Sequence, residues 1–421
     1  MHKNEILKEL LRKKGIGPSG SKHLDLSQTM LLRELLFDSS LEVITQATML
    51  TALLTLEANS EEATLIAHIK EQRLQLPKEL QNLLFPTEYE DFVRIIRQVI
   101  AGNDLSKKEA YEGVSYLFKE EIPDYLKAVF LEAERLKRET FQENLVFLNS
   151  FWEHSTRQNT EIPVLIDICN NYDGWQRIQN YSVFVAQLLA IMGFPTVLHG
   201  AVCVAPKFGF TNYTLLKTMG YPSDNSLSEA VAHLNTSGWA YVNNTEFSPE
   251  INGFNLIREH MVKRPFIATF EKILHPIHAV DTTYGIVGYT HKKYKMTMSK
   301  LVLAHAKTIK SLVIKGEEGS PQLSLDKPTE YALIQDGLII EKIISPKELG
   351  ILVPEKPKLD PPTANSIMNT VQQAMEGKND YVRNKIIYNA MAYCVMLGFE
   401  MPRLQEFEAG FDQIPSFTNK G

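Results

Sequence analysis

The sequence predicts an α/β fold with a separate all-α domain, in which a mainly parallel sheet flanked by helices follows a helical N-terminal domain carrying a duplicated module. Three observations predict it. Through residues 1–160 apolar side chains recur at three- and four-residue spacing, as in "LLRELLFDSS" and "DYLKAVFLEAERL", the period of one buried helix face. From about residue 161, short β-rich runs alternate with helical stretches, the pattern of parallel strands joined by crossover helices. A chain of 421 residues is also long enough for two domains, or for one large domain with a helical companion.

The helical half contains an internal similarity. Asp25-Leu26-Ser27 matches Asp104-Leu105-Ser106, Phe37 matches Phe118, and Ala47 and Ala52 match Ala128 and Ala133. Duplication of a small module predicts a first copy over 1–80 and a second over 81–160, each burying a face that the other leaves exposed. The Asp-Leu-Ser tripeptide is a good helix entry, since a short side-chain oxygen can cap the first turn. Near the N-terminus, "KKGIGPSGSK" formally contains GxGxxG at Gly15, Gly17 and Gly20. No strand is predicted before it and Pro18 lies inside it, so a dinucleotide fingerprint is excluded. A basic loop over an anionic ligand and a plain linker both remain as readings.

In the α/β half, over 161–421, the strands are expected at "PVLIDI", "TVLHGAV", "AYVN", "GIVGY", "SLVIKG" and "YALIQDG". The segment "YSVFVAQLLAIMG" is apolar nearly all round, which predicts a helix buried against the sheet. The first strand runs into Cys169-Asn170-Asn171-Tyr172-Asp173-Gly174 before that helix. A strand, a polar turn and a helix start form an anion site, because backbone N–H groups and the helix dipole point at the turn. Ligands of such sheets bind at the carboxyl ends of strands, which adds His199-Gly200 after the second strand.

Composition is that of an ordinary globular chain, 44% hydrophobic and 22% charged, with a net charge of −6. No run approaches the roughly 20 apolar residues of a membrane span, and the N-terminus lacks the apolar core of a signal peptide. Cys169, Cys203 and Cys394 show no CxxC spacing, so neither a disulfide framework nor a zinc site is suggested, and a cytoplasmic location is expected. His275 and His278 straddle Pro276 without a third ligand at suitable spacing, so no protein-held metal is assigned. The net charge conceals a basic stretch. From Thr282 to Gly316 there is no acidic residue, while Lys292, Lys293, Lys295, Lys300, Lys307, Lys310 and Lys315 alternate with Tyr284, Tyr289 and Tyr294. That pattern suits a polyanion, although a solvated helix face between two buried strands is the plainer reading and the favoured one.

Taken in order, "IDICNNYDG…QNYSVFVAQLLAIMGFPTVLHGAVCVAPKFGFTNYTLLKTMG" resembles the anthranilate phosphoribosyltransferases and the related class of nucleoside phosphorylases. Asp173-Gly174 falls at the end of their GTGGDG motif, Asn180 and Ser182 at the next N-x-S/T, and His199-Gly200 at KHG. Lys207 lies in their serine-rich loop. The resemblance implies a phosphate- and ribose-binding set of Asn170, Asn171, Asp173, Gly174, Arg177, Asn180, Ser182, His199, Gly200 and Lys207. It also implies an acceptor-side or anion-binding set of Trp175, Arg258, Lys263, Arg264 and Lys272. The ordinary readings are a helix cap for Asp173, packing for Trp175 and a satisfied core histidine for His199. A homodimer through the helical domain and a cleft between domains are implied as well.

The departures from that family are informative. Asn170, Asn171 and Tyr172 replace most of the glycines that let a backbone approach pyrophosphate, and Leu198 replaces the lysine of KHG. Magnesium is implied by the resemblance, but Ser320, Pro321 and Gln322 stand where the acidic pair is expected, with Glu317 and Glu318 as the nearest substitutes. The expected function is therefore phosphoribosyltransferase-like binding of a phosphorylated ribose compound such as phosphoribosyl pyrophosphate, with anthranilate disfavoured as acceptor. Gly15-Ile16-Gly17 before Asp25-Leu26, Tyr172–Arg177 with Asn180, and Lys272-Ile273-Leu274-His275-Pro276 resemble a divergent branch related to nucleic-acid-binding members. That resemblance gives the alternative of a non-catalytic nucleotide or single-stranded nucleic-acid binder.

Overall fold

The structure, a computed structural model, describes residues 2–305, 309–400 and 403–415. The chain divides into two compact units. One comprises Met1–Glu153 with Gly253–Ala268, the other His154–Asn252 with Thr269–Gly421. The sequence drew boundaries near 80 and 160, whereas both helical modules lie in the first unit, which also takes in a later segment. Aromatic packing accounts for that segment: Phe266 stacks on Phe147 at 4.8 Å, and Phe254 contacts Phe151. Periodicity in one stretch cannot reveal a partner a hundred residues away.

The helical unit consists chiefly of α1 (Lys3–Lys14), α2 (Leu26–Phe37), α3 (Val43–Thr55), α4 (Ser60–Glu71), α5 (Lys78–Leu84), α6 (Glu90–Ile100), α7 (Lys107–Ser115), α8 (Asp124–Lys137) and α9 (Phe141–Glu153). Helices α3 and α8 pack together at its centre. Ala47, Ala52, Ala128 and Ala133 are fully buried there, small enough for side chains of the neighbouring helix to seat against the backbone.

The same anchor occurs twice. The Leu24 N–H donates to Glu62 at 2.9 Å, and the Leu105 N–H donates to Glu143 at 2.7 Å. Glu62 closes a capping box with Asn59, and Glu143 exchanges the corresponding bonds with Thr140. Each carboxylate is met by a lysine at 2.7 Å, Lys14 in the first case and Lys137 in the second. Asp25 caps α2 and Ser106 caps α7. The two geometries therefore correspond with Asp25 opposite Ser106, two residues away from the pairing of the matched tripeptides. A cap needs only a short side-chain oxygen, so Asp and Ser exchange freely and matching by letter shifts the start. The loop of "KKGIGPSGSK" is held within this unit by Arg135, whose guanidinium donates to the carbonyls of Gly15 and Ile16.

The strands of the second unit are β1 (Gln158–Asn159), β2 (Val164–Cys169), β3 (Thr196–Gly200), β4 (Trp239–Asn243), β5 (Ile277–His278), β6 (Thr282–Gly288), β7 (Ile309–Ile314), β8 (Thr329–Gln335) and β9 (Leu338–Ile344). Seven form one sheet in the order β4-β3-β2-β6-β7-β8-β9, while β1 and β5 pair separately. The first five of that order are parallel, and the β7–β8 and β8–β9 pairs are antiparallel. The β8–β9 hairpin was not expected, although Asp336-Gly337 with φ of 52° and 78° is a turn of the kind that closes hairpins. Helix α10 (Ser182–Ile191) is buried as its composition predicted. After β2 the chain builds outward through β3 and β4, then returns to the other side of β2 with β6. The strand order thus reverses between β2 and β6, the point at which open sheets of this kind bind ligands beyond their carboxyl ends.

Candidate functional site

At that reversal the turn after β2 is held open by two glycines facing one another. Gly174 has φ of 72°, and a Cβ there would lie 2.5 Å from the backbone of Gly209 and Phe210. A Cβ on Gly209 would lie 2.6 Å from the Trp175 nitrogen. Trp175 and Phe210 exchange backbone hydrogen bonds of 2.9 and 2.8 Å, locking the two segments. Gly174→Ala is both sterically blocked and in the left-handed region, so it should cost about 2–4 kcal/mol. Chemical denaturation would check this as a lower midpoint with an unchanged slope.

A second loop closes over the turn from the end of β7. Gly288 and Gly316 leave room for it, since a Cβ at either would lie 2.1 or 2.0 Å from the Ser320 backbone. This loop delivers the Glu318 carboxylate into the turn. There it accepts from the backbone N–H groups of Gln176 and Arg177, both at 3.1 Å, and from Arg177 Nε at 2.9 Å. Lys207 Nζ lies 3.3 Å away and also donates to the Gly174 carbonyl. The Glu318 side chain is 2% exposed. Burial pushes its pKa up, but Arg177, Lys207 and the Gln176 N–H together outweigh that and hold it below the usual carboxylate range. Its backbone is left-handed, φ 51°, a strained conformation for a non-glycine residue. The donors of the turn therefore already hold a carboxylate, that of a side chain of the same protein.

Lys272 ties the parts together, donating to Asn171 Oδ1 and to the carbonyls of Gly288 and Gly319. Asn171 in turn donates to the Glu318 carbonyl at 2.8 Å. Asn180 accepts from the Ser182 N–H at 2.9 Å, and Ser182 Oγ meets Asn170 and Asn212 at 3.0 Å. Asn170 Oδ1 and Asn180 Nδ2 are buried and, among the described residues, have no hydrogen-bond partner.

Of the residues singled out from the sequence, Asn171, Gly174, Arg177, Lys207 and Lys272 meet around Glu318, and Asn170, Asn180 and Ser182 lie together at the start of α10. Asp173 is buried in the turn, where its carbonyl accepts from Gly209. Trp175 is 2% exposed and presents no open ring for stacking. Gly200 lies against Tyr241. Arg258, Lys263 and Arg264 belong to the helical unit; Lys263 donates to the Arg12 carbonyl, and burial beside Arg135 pushes its pKa down to about 8.

His199 is fully buried beneath the turn, with Tyr172 on one ring nitrogen at 2.6 Å and Cys169 on the other at 3.0 Å. Burial pushes its pKa down to about 4 despite the Asp167 carboxylate, so it brings no positive charge to an anion at neutral pH. Sequence reading missed the role of Glu318 as occupant. It also missed the main-chain donors of Gln176 and Arg177, which side-chain chemistry cannot signal.

The two glutamates do not form an acidic pair for magnesium. Glu317 is bound to Lys385 at 2.6 Å and to Gln322 at 2.8 Å, while Glu318 faces Arg177 and Lys207. Gln322, at the expected place of a metal carboxylate, instead receives the Tyr181 N–H at 2.8 Å. In the basic stretch, Tyr284 and Tyr289 are buried and Tyr294 is half-exposed. Lys295 and Lys315 pair with Glu341 and Glu330. Lys307 and the Lys293 side chain lie outside the described residues. Among the described residues no helix is long and apolar enough to cross a membrane.

Residues 165–412 match the glycosyl transferase family a/b domain, and residues 93–155 match the helical bundle domain of that family. The bundle match leaves the first helical module outside it. The anthranilate phosphoribosyltransferase of Aeropyrum pernix is 22% identical over 321 residues, covering 76% of this chain and 91% of that protein. An uncharacterized protein of Aquifex aeolicus is 29% identical over 252 residues, 60% of this chain and 74% of that one. Among solved structures, the anthranilate phosphoribosyltransferase of Thermus thermophilus aligns with a TM-score of 0.59 at 18% identity, over 76% of this chain and 93% of its own. The Saccharomyces cerevisiae enzyme in complex with phosphoribosyl pyrophosphate and magnesium aligns with a TM-score of 0.59 at 16% identity, over 76% and 92%. At these identities the likeness is one of fold.

Proposed function

The chain belongs to the glycosyl transferase family of α/β and helical bundle domains, and from that premise we propose that it is a phosphoribosyltransferase-like protein binding a phosphorylated ribose compound, such as phosphoribosyl pyrophosphate. The observation that carries the reading is the set of donors converging on Glu318. Two main-chain N–H groups, a guanidinium and an ammonium are what a phosphate oxygen requires. A phosphate group would take these donors when Glu318 withdraws. Asn170 Oδ1 and Asn180 Nδ2 supply a buried acceptor and donor suited to hydroxyl groups.

In transfer from such a donor, the bond from ribose C1 to the pyrophosphate oxygen breaks and negative charge grows on the leaving group. Arg177, Lys207 and the main-chain donors would stabilise that charge without rearranging. The residues present do not provide the acidic pair for magnesium, so no step in this reading depends on it. The nucleic-acid alternative has less support, since two of the three interleaved tyrosines are buried and two of the lysines are paired.

The test is a titration with phosphoribosyl pyrophosphate followed by Trp fluorescence, because Trp175 lies in the turn. Saturable binding is expected, weakened about tenfold in Lys207→Ala, the worth of one charge-assisted hydrogen bond. Magnesium should change the affinity little. Absence of binding at millimolar ligand, both in the unaltered protein and in Glu318→Gln, would sink the proposal.

A further inference from the structure

Beneath this turn lies a group of side chains that the proposed binding does not use. Asp167, Cys169, His199 and His275 are each at most 3% exposed. Asp167 and Cys169 are two residues apart on β2 and so project from the same face. His199 on β3 is the direct partner of Cys169 across the sheet. Asp167 is paired with Gly285 on β6, and the bare backbone there admits the fourth residue: a Cβ on Gly285 would lie 2.6 Å from the His275 ring. His275 has φ of 48°, a left-handed backbone that turns its imidazole inward just before β5. Three separate parts of the chain thus bring four side chains of metal-ligand type into one buried cluster.

Two of the separations, those of Asp167 Oδ1 from His199 and from Cys169, are those of ligands around a common centre, and two are hydrogen-bond distances that would lengthen on metal binding. His199 Nε2 lies 3.0 Å from Cys169 Sγ and 3.4 Å from Asp167 Oδ1, and that sulfur and oxygen are 3.5 Å apart. Ligands of tetrahedral zinc, at bond lengths near 2.0–2.3 Å, are separated by about 3.3–3.7 Å. His275 Nδ1 lies 2.8 Å from Asp167 Oδ2. One donor atom each from Asp167, Cys169 and His275 falls within 4.8 Å of the others. His199 Nε2 faces both the sulfur and the carboxylate. Its other nitrogen meets the Tyr172 hydroxyl at 2.6 Å, the outer hydrogen bond that fixes a ligating imidazole.

We propose that Asp167, Cys169, His199 and His275 form a structural zinc site. Sulfur, two imidazoles and a carboxylate in a closed, buried set favour zinc over magnesium or calcium. On binding, the Cys169 thiol loses its proton to solvent and the thiolate bonds the metal, so the ion enters as the protein folds. Tyr172 then connects the site to the turn that receives the anion. The sequence alone suggested no zinc because these ligands share no short spacing.

The full-length protein, produced in zinc-supplemented medium and dialysed, would be analysed for metal by mass spectrometry. About one zinc per chain is expected, falling at least about tenfold in Cys169→Ser and in His275→Gln, since each substitution removes a ligand. Refolding in cobalt provides a readout that does not depend on a variant's stability. The unaltered protein should show a sulfur-to-cobalt charge-transfer band. Zinc far below one per chain together with no such band would overturn the proposal and leave the group as a hydrogen-bonded cluster.

Discussion

Replacing Glu318 with glutamine should raise the affinity for phosphoribosyl pyrophosphate, and for pyrophosphate alone, by about ten- to hundredfold, corresponding to roughly 1.5–3 kcal/mol of charge-assisted hydrogen bonding. A ligand entering the turn must first displace the carboxylate from Gln176, Arg177 and Lys207, and its apparent affinity is the intrinsic one multiplied by the fraction of molecules in which that carboxylate is withdrawn. Glutamine retains the size of the side chain but not the charge that matches these donors. Isothermal titration of both proteins with the same ligand would measure the difference. A fall in affinity on substitution would mean that Glu318 helps to hold the ligand, and the idea of a displaceable occupant would be wrong. Glu318→Gly provides a second route to the same answer, because glycine also relieves the left-handed backbone at this position.

This arrangement of donors was only partly legible in the sequence, for physical reasons. The strand–turn–helix pattern marked the turn, since apolar β-branched runs and a polar break are local features. Gly174 was marked as well, through its place at the end of the GTGGDG motif, and its left-handed φ of 72° shows why the turn requires it. The match of Gly174 to Gly209, the closure by Gly288 and Gly316, and the donation from main-chain N–H groups depend on approach between distant segments, which no local pattern encodes. Glu317 and Glu318 were read as substitutes for a metal pair. The structure instead gives each carboxylate its own cations, Lys385 for one and Arg177 with Lys207 for the other. The fold was more legible than the site because its signals are periodic: the parallel strands stood out by alternation with helices. The β9 strand did not, because "LIIEKII" is a mixed run at the sheet edge with several exposed positions.

Lys14→Met should destabilise the protein by about 3–5 kcal/mol, the cost of leaving a buried carboxylate without its partner. Lys14 and Glu62 are both fully buried and 2.7 Å apart. Glu62 also accepts from the main-chain N–H groups of Leu24 and Asn59, so losing the lysine strains the junction of α1, α2 and α4. Lys137→Met removes the corresponding cation from Glu143 and should act alike on the second module. If the two modules form one cooperative unit, each variant will lower a single unfolding transition of that unit. Two separated transitions would instead mean modules that fold alone. Glu62→Gln combined with Lys14→Met should recover part of the loss, because a neutral amide does not require a counter-charge. The sign with pH follows from Glu62. Burial raises its pKa, but the bonds from Lys14, the Leu24 N–H and His23 more than reverse that and leave it below the ordinary carboxylate value. Its stabilisation is therefore fully present above the unfolded carboxylate pKa and is lost as pH falls through the depressed folded value. Acid unfolding of Lys14→Met should begin at a higher pH than that of the unaltered protein, and an unchanged acid midpoint would show that the pair contributes nothing to that dependence.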